Sequence, residues 1–414
     1  MSRPVNAPNE QPHAHAHPLV FLFLMLPFGV VAGYVTITLG YLFSKQGISV
    51  EAVAALAGSY LLPQVFKFLW APLVDTTLTL KKWYVLSAVI TAVAIAVTGL
   101  LPIKQSSLPL MTIIMIIASV AVSFIGSATN GLAAHDTPEH LKGNVGGFLQ
   151  AGNLGGGGLG GGAGLWLAEH TTNTWITPFV LAAACLLCCV GLFFVDEPSS
   201  TVQTEKAMTT LRNLFTDLWY TLKTRMGILA MLLCFLPLGT GAASNLWSAV
   251  AKDWHASANT VELATGVASG LITAAGCLLG GWICDRMDRK IAYVIFGLLG
   301  ALCAVAMAFL PHTELMYIIL TSVYALTLGL SYAGFSAFVF EAIGKGAAAT
   351  KYTVYAALSN APIYYMTLMD GWAYDQYGPS GMLNIEAAFG ILGIVLFMGM
   401  LWFANRNSAE IAAV

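Results

Sequence analysis

The sequence predicts an all-α polytopic membrane protein with twelve transmembrane helices in two six-helix halves, and three observations lead to that fold class. The 414 residues are 57% hydrophobic and only 9% charged, with a mean hydropathy of +0.76. A soluble domain of this length buries its core with far less apolar sequence. Apolar runs of membrane-spanning length recur along the whole chain, and basic residues collect in alternate loops between them.

Each apolar run is bounded by charged or Pro/Gly-rich breaks and has about 20 or more mostly apolar residues, the length that crosses a bilayer as a helix. The predicted spans are 18–43, 50–75, 83–102, 107–134, 144–168, 174–195, 226–250, 258–284, 291–311, 314–341, 352–374 and 381–404. All seven cysteines lie in these spans, where we expect small packing residues rather than disulfides or metal ligands.

The distribution of positive charge predicts the orientation. With both termini in the cytoplasm, all but four of the 18 basic residues fall in cytoplasmic segments; Lys45, Lys104 and Lys252 lie on the opposite side, and Lys67 lies inside a span. Such a bias fixes the orientation of a membrane protein. The N-terminal tail is polar and the first apolar run is long, so we expect no cleaved signal.

An internal repeat predicts the domain organisation. The same offset separates Leu26-Pro27-Phe28-Gly29 from Leu236-Pro237-Leu238-Gly239, and Asp75 from Asp285. We therefore expect two copies of a six-helix unit. The units are 18–195 and 226–404, joined by a polar cytoplasmic linker, 196–225, and flanked by cytoplasmic tails, 1–17 and 405–414. Leucines at helical spacing in the linker predict a surface helix there.

One short loop joins two predicted spans and has the spacing G-x-x-x-D-R-x-x-R-K, from Gly281 through Asp285, Arg286 and Arg289 to Lys290. A small residue in the last turn of a membrane helix lets a neighbouring backbone approach. The acid and bases at a helix end can bond to adjacent helix ends. This cluster predicts a cytoplasmic gate.

Further acids end other spans on the predicted cytoplasmic side. Asp75 closes the second span in the position that Asp285 has in the eighth, and Asp136 and Glu341 occupy corresponding ends of the two halves. We expect Asp136 to bond to Lys81 or Lys82, and Glu341 to bond to Arg286 or Arg289. These acids would act as gate residues rather than as substrate ligands.

The G-x-x-x-D-R-x-x-R-K loop resembles the signature loop of the major facilitator superfamily of secondary transporters. The segment 65–75, VFKFLWAPLVD, looks like the corresponding segment of the AmpG-type muropeptide permeases and their acetyl-CoA transporter relatives. Pro138-Glu139, Gly143, Gly152-Asn153-Leu154-Gly155 and Leu165-Trp166-Leu167-Ala168 also resemble that family, so the similarity is concentrated in residues 60–170.

The chain departs from that family at two places. It reads Thr129-Asn130-Gly131-Leu132-Ala133-Ala134 where the family has an aspartate-bearing stretch, and Asn153 where the family has an arginine. Both departures remove charge from the expected cavity. The siderophore importers of the same superfamily, which are similar in size, therefore remain an alternative to muropeptide permeases.

Lys67 is the charged residue deepest in the N-terminal half. Tyr60 and Gln64 precede it at helical spacing, so the three side chains predict one polar stripe. Charged groups in a bilayer are costly and usually face an interior cavity. Lys67 is a candidate ligand for an anionic substrate group or partner for a titrating acid; a structural ion pair or a side chain that snorkels to the surface is the alternative.

Asp370 is the first candidate for proton coupling, because a carboxyl group in a desolvated cavity can take up a proton near neutral pH. An acid already wetted by the outer vestibule is the alternative. Glu262, near the outer start of the eighth span, is a second candidate. Asn360 and Tyr364 lie on the same span as Asp370 and are expected to face Lys67 across the cavity.

Other polar side chains within spans either line the cavity or form hydrogen bonds between helices, each worth about 0.6 kcal/mol. These cavity candidates are Tyr34, Thr38, Gln150, Asn153, Asn245, Trp247 and Tyr332. The fifth span is rich in glycine between Gly143 and Gly164. We expect it to pack tightly on the first or eighth helix, and it is also suited to bend during transport.

No hydrolase triad, zinc spacing or nucleotide-binding motif is present, so we expect neither an enzyme nor a cofactor. We predict a secondary active transporter of the bacterial inner membrane, a monomer with no nucleic-acid partner. It would import a polar or anionic organic solute, muropeptide-like or siderophore-like, with protons by alternating access. The alternative is proton-antiport efflux of amphiphilic compounds.

Overall fold

A computed structural model describes residues 15–137, 142–197, 224–343 and 348–412, together with residues 209, 212, 216, 219 and 220 of the linker. In this part of the chain the regular structure is entirely helical, which confirms the predicted all-α class. The predicted linker helix rests on leucines that lie outside the described residues. The N-terminal tail is described only from residue 15 onwards.

The helices before the linker are each given by one range. They are α1 (Pro18–Lys45), α2 (Val50–Leu69), α3 (Leu80–Thr98), α4 (Gln105–Asp136), α5 (Lys142–Gly158, continuing through Leu159–Ala163 and Gly164–His170) and α6 (Ile176–Phe194). A short helix, Ala71–Thr76, follows α2. We call the described residues before the linker the N-terminal half.

The helices after the linker form the C-terminal half. They are α7a (Arg225–Leu233), α7b (Ala242–Leu246 continuing to Trp254), α8 (Ala258–Cys284), α9 (Arg289–Phe309), α10 (Glu314–Ile343), α11 (Ala348–Leu358, then 360–377) and α12 (379–412). The chain turns between α11 and α12 at Gly378, whose φ of 72° and ψ of −173° interrupt the helix Asn360–Ala412.

Nine helices among the described residues are long and apolar enough to cross a membrane, and the ninth, Thr353–Trp402, has 50 residues and contains the break at Gly378. The glycine-rich α5 and the interrupted α7 are not among the nine. The membrane class is confirmed, and the count of twelve crossings stays a prediction.

The predicted span 226–250 is wrong as a continuous helix. Residues 234–241 between α7a and α7b are not helical, and Gly239 and Gly241 have φ values of 62° and 65°, which favour glycine. Pro27, the repeat counterpart of Pro237, lies inside the continuous helix Pro18–Gly33. The two positive-φ glycines account for the difference, because proline alone does not end α1.

Glycines of α5 bring its backbone against α1. A Cβ atom added at Gly152, Gly156 or Gly160 would collide with the carbonyl oxygens of Leu22, Leu26 or Val30. On another face of α5, Gly158 and Gly162 approach the backbone of α8. The glycine-rich helix α5 therefore packs closely on both α1 and α8, the two neighbours expected from the sequence.

Three π-helical segments lie in mutual contact within this glycine-rich region. They are Tyr34–Leu39 in α1, Leu159–Ala163 in α5 and Glu262–Ala268 in α8. The hydroxyl of Thr38 donates to the carbonyl oxygens of Gly160 and Gly161, at 2.7 and 3.1 Å. Thr38 thus forms a hydrogen bond between α1 and α5 and does not line the cavity.

The close contact of α8 with α10 lies one residue away from the predicted position. A Cβ added at Gly281 would meet no atom within 4 Å, whereas one at Gly280 would meet the Cβ of Ala333 at 2.8 Å. Gly276 and Gly329 make the next close approach along the same contact. The expectation that Gly281 admits a neighbouring backbone is wrong because Gly281 faces away from α10.

We predict that Gly156→Ala destabilises the protein by about 1–3 kcal/mol, because the new methyl group overpacks the α1–α5 contact. The matched control is Gly157→Ala, where an added Cβ meets nothing within 4 Å. It should be neutral or gain up to about 1 kcal/mol from helix propensity. Thermal denaturation of both variants in the same detergent checks the order, and the reverse order would contradict the packing described here.

Candidate functional site

The two ends of the bundle differ in how the halves meet. We call the end where α1 begins and α9 begins the linker side, and the end where α2 and α8 begin the far side. Every hydrogen bond that joins a described residue of one half to a described residue of the other belongs to the far-side part of the bundle. The halves are therefore held together by polar contacts at the far side.

Asp375 forms the most specific of these contacts. Its two carboxylate oxygens accept hydrogen bonds from the backbone N–H groups of Val50 and Glu51, at 3.0 and 3.1 Å. Those N–H groups open α2, and a helix N-terminus favours a negative charge through its unpaired donors and its dipole. A carboxylate of the C-terminal half thus caps a helix of the N-terminal half. We call this contact the far-side latch.

Close packing extends the latch into the bundle. A Cβ added at Gly371 of α11 would collide with Ala54 of α2, and the ring of Tyr364 lies 3.1 Å from the Cβ position of Gly58. On the neighbouring seam the hydroxyl of Ser248 donates to the carbonyl oxygen of Thr36, and that of Ser44 donates to Ala249. The far side is closed along α2–α11 and α1–α7b.

On the linker side the described contact between the halves is apolar, since Phe68 at the end of α2 packs against a buried cluster that the helices of the C-terminal half form. Glu341 lies 3.5 Å from Arg289 and 3.4 Å from Lys290, so the predicted contact with Arg289 is present. Arg286 does not share it, because its guanidinium stacks 4.0 Å from the Trp282 ring.

The other gate candidates differ from expectation. Asp136 does not bond to Lys81 or Lys82; its Oδ2 accepts from the backbone N–H of Ala16 at 2.8 Å, and so anchors the start of α1. Asp285 is exposed. The side chain of Asp75 lies outside the part of the chain that the structure describes. The bonds described for Asp136, Arg289, Lys290 and Glu341 therefore all lie within one half.

The predicted polar stripe on α2 has its members in different surroundings. The amide of Gln64 donates to the carbonyl and hydroxyl oxygens of Ser119, at 3.2 and 3.1 Å, and its Oε1 has no donor among the described residues. The Lys67 ammonium lies 5.7 Å from the centre of the Phe28 ring. Lys67 is only partly buried and faces α1 inside the protein.

Tyr60 of the N-terminal half and Tyr332 of the C-terminal half lie near each other at mid-depth. Tyr60 is buried, whereas Tyr332 is 42% exposed in the middle of α10. The two phenols are electrostatic neighbours. An exposed tyrosine at this position, beside a residue of the opposite half, indicates a space between the halves.

Two cavity candidates are core residues, and the expectation that they line the cavity is wrong. Tyr34 is buried, and its hydroxyl bonds the hydroxyl of Thr98 at 2.8 Å. Trp247 is also buried; its carbonyl accepts from Tyr317 and its ring packs edge-on against Tyr324 at 5.2 Å. Sequence alone does not separate a cavity wall from an interhelical bond.

The amide candidates have mixed roles. Asn245 donates to Thr367 at 3.0 Å and so joins α7b to α11 one turn from Asp370. Asn360 donates to carbonyl oxygens of its own helix at Ala356 and Ala357. Gln150 and Asn153 contact each other on α5 at 3.5 Å. Only Asn245 lies beside the proton-coupling candidate.

Glu262 and Asp370 lie in separate regions. Glu262 lines an apolar cleft between α5 and α8 with Leu154 and Trp166. Asp370 is completely buried and faces Glu386 of α12. Neither oxygen of Asp370 receives a hydrogen bond from a described residue. Glu386 belongs to the site as well, although it is not among the residues predicted from the sequence. It is an acid inside a predicted span, which is the same signal that identifies Lys67 and Asp370.

The comparisons with known proteins agree with this geometry. A family model described as Major Facilitator Superfamily matches residues 19–364 and 229–413. The anhydromuropeptide permease of Escherichia coli (strain K12) is 24% identical over 352 residues, which are 81% of this chain and 70% of the permease.

Solved structures show the same fold. The nucleoside transporter NupG has a TM-score of 0.69 at 15% identity, over 92% of this chain and 98% of that chain. The xylose transporter XylE from E. coli, in a partially occluded inward open conformation, has a TM-score of 0.66 at 16% identity, over 92% and 97%. The chain belongs to the Major Facilitator Superfamily, and it is a polytopic membrane transporter rather than an enzyme.

Proposed function

We propose that this transporter imports a polar or anionic organic solute together with protons by alternating access. The observation that carries the proposal is a base and an acid placed inside opposite halves. Lys67 lies inside the N-terminal half and Asp370 inside the C-terminal half, and no described side chain forms an ion pair with either. Ionisable groups without a partner at membrane depth are costly, and they usually mark a pathway for a substrate or a proton.

Lys67 is the proposed ligand of the solute. Its ammonium is stabilised by the face of the Phe28 ring, which attracts a cation without neutralising it. The charge remains available for a carboxylate or phosphate of the solute. Tyr60, Tyr332 and Tyr364 add aromatic and phenolic surface from both halves, which suits an organic solute with polar groups.

Asp370 is the proposed carrier of the proton. It is fully buried, and a carboxyl group without donors is stable there when it is protonated. Release of that proton as the halves separate would couple transport to the gradient. Glu262 remains a weaker candidate, since it lies in the apolar cleft between α5 and α8 and not at the seams that close the far side.

The far-side latch supports alternating access. Rocking of two halves about a central site requires each side to open while the other is closed. Here the far side is closed by hydrogen bonds between the halves, whereas the charge pair Glu341–Arg289 lies within one half. Breaking the latch is the step that opens the far side. Asp75, Asp136 and Asp285 would complete the gate on the linker side.

The orientation of the protein in the membrane follows from the charge distribution. By the positive-inside rule the linker side is cytoplasmic, so both tails, 1–17 and 405–414, and the linker 196–225 face the cytosol of a bacterium. The six-helix units are 18–195 and 226–404, and the transporter acts as a monomer in the inner membrane. Protons, a small solute and lipid are its partners, and nucleic acid is not.

The substrate class rests on similarity and charge. The relative that shares 24% identity is named for anhydromuropeptide transport, and a muropeptide combines carboxylates with a polar body that Lys67 can bind. A carboxylated siderophore has the same chemistry. Both belong to the polar or anionic class that we propose.

We expect Lys67→Ala and Asp370→Asn to abolish accumulation of the solute, because the first removes the anion ligand and the second fixes a neutral side chain at the proton site. Uptake into membrane vesicles with an imposed proton gradient, tested over muropeptides, ferric siderophores and organic anions, measures this. Lys104→Ala, in an exposed loop, is the matched control. Normal accumulation in both variants at equal expression would remove these residues from the mechanism.

We expect Asp375→Ala to open the far side, since it removes both hydrogen bonds of the far-side latch. Spin labels at Lys104→Cys and Thr313→Cys, in a chain whose native cysteines are replaced, report the distance between the far-side ends of the halves. The distance distribution should shift to longer values. Asp253→Ala is the control, because Asp253 bonds Tyr374 at 2.7 Å within one half. A distribution that stays unchanged in Asp375→Ala would show that the latch does not hold the halves together.

A further inference from the structure

The buried Asp370 has a second carboxyl group beside it. Glu386 of α12 is 8% exposed and Asp370 is fully buried, and the two groups lie within hydrogen-bonding reach of each other. One oxygen of Glu386 accepts from the Tyr324 hydroxyl at 2.6 Å. The other oxygen of Glu386 and both oxygens of Asp370 have no donor among the described residues.

Two adjacent carboxyl groups away from water cannot both be ionised, because like charges repel strongly in a low dielectric. They also cannot bond to each other, since an ionised carboxylate only accepts hydrogen bonds. One proton removes both difficulties, because it turns one group into a donor to the other. The three oxygens without donors therefore point to a bound proton.

No positive charge replaces that proton in the described part of the chain. The titratable groups that face the pair are Tyr324 from α10 and Tyr365 from α11, and the thiol of Cys303 from α9 lies beside Tyr324. From α7 the neighbours are the hydroxyl of Thr240 and the N–H of Ala243. None of these is a cation, so the charge of the pair is set by its own protonation.

Within the pair, Glu386 faces the break in α7. Non-helical backbone at membrane depth is tolerated where it lines a cavity or a site. Residues 234–241 include Thr240, and a narrow cavity beside the break is lined by Thr240, Tyr324, Ser331 and Glu386. The break thus gives Glu386 a polar wall that a continuous helix would not supply.

That cavity continues towards the linker side. Gly239, Thr240 and Ser331 line it and also line a second cavity, which extends to Tyr332 and Phe335. Tyr332 is the exposed tyrosine at the seam between the halves. The hydroxyl groups of Thr240 and Ser331 are therefore the polar groups between the buried pair and the space that Tyr332 faces.

We propose that Asp370 and Glu386 hold one exchangeable proton between them, and that this proton leaves to the linker side past Thr240 and Ser331. The inference rests on the proposed coupling to protons and deepens it, because it assigns the carrier to a pair of residues and gives the proton an exit. Glu386 is then a proton-binding residue, and Tyr324 a positioning residue that donates to it.

Infrared spectroscopy of the full chain in lipid nanodiscs tests the shared proton directly, since a protonated carboxyl group has its own carbonyl band. The wild type should show one such band that titrates with pH, and the double variant Asp370→Asn with Glu386→Gln should lack it. Each single variant should move the titration midpoint by about one pH unit or more, as expected for strongly interacting sites. Glu314→Gln, a carboxylate bonded by Ser257 and Thr260 at the start of α10, should leave the band unchanged.

Three outcomes would overturn the proposal. A band that survives in the double variant would place the proton elsewhere. Single variants that titrate like the wild type would show that the groups are independent. Loss of the band when potassium is replaced by sodium at fixed pH would identify a sodium site. The measurement needs no solute, so an absence of transport would reject the proposed function and leave this result standing.

The exit is tested by the rate at which the same band shifts after transfer to heavy water. Thr240→Val combined with Ser331→Ala should slow the shift several-fold, because both hydroxyl groups on the path are lost. Thr321→Val is the matched control, since its hydroxyl bonds its own helix at Tyr317 at 2.7 Å. An unchanged rate in the double variant would show that the proton leaves by another way.

Discussion

A polar group inside a membrane must find a partner within the protein, and this constraint governs the arrangement of the bundle. It is clearest around α7, where the helix is broken between α7a and α7b and two acids face the break. The hydroxyl of Tyr324 donates to Glu386, and Thr240 of the break lines the same cavity as Glu386. A buried carboxyl pair and an unwound backbone segment are each costly in a membrane, and here they lie beside one cavity.

Close packing of small residues, rather than polar bonding, holds the helices together around that site. Glycines of α5 let its backbone meet α1 and α8, so the fifth helix bridges the two halves. Gly276 and Gly280 do the same between α8 and α10. Because lipid provides no hydrophobic driving force between helices, such contacts depend on dispersion and fit. The polar latch at Asp375 is then the part of the interface that a change of charge can release.

The sequence predicted the features that depend on composition, such as the spans. It missed those that depend on which way a single residue faces or on its backbone conformation. Apolar length gave the spans, and the rule that intramembrane charges are functional selected Lys67 and Asp370; the same rule applied to the last span would have found Glu386. The sequence did not predict the break after Pro237. Its repeat counterpart Pro27 lies in an unbroken helix, and the two regions differ in the positive φ of Gly239 and Gly241. Gly281 was placed one residue from the true contact, and the partner of Asp136 was a backbone group that no charge pattern shows.

The three π-helical segments of α1, α5 and α8 have a mechanical consequence. A π-helical turn is a wide turn that contains one residue more than a regular helical turn, and helices bend readily at such turns. Since the three wide turns touch one another where the halves meet, a twist in one helix can be taken up by its neighbours without melting any of them. The contact of α1 and α5 with α8 is therefore suited to rotation of one half against the other with little loss of regular helix.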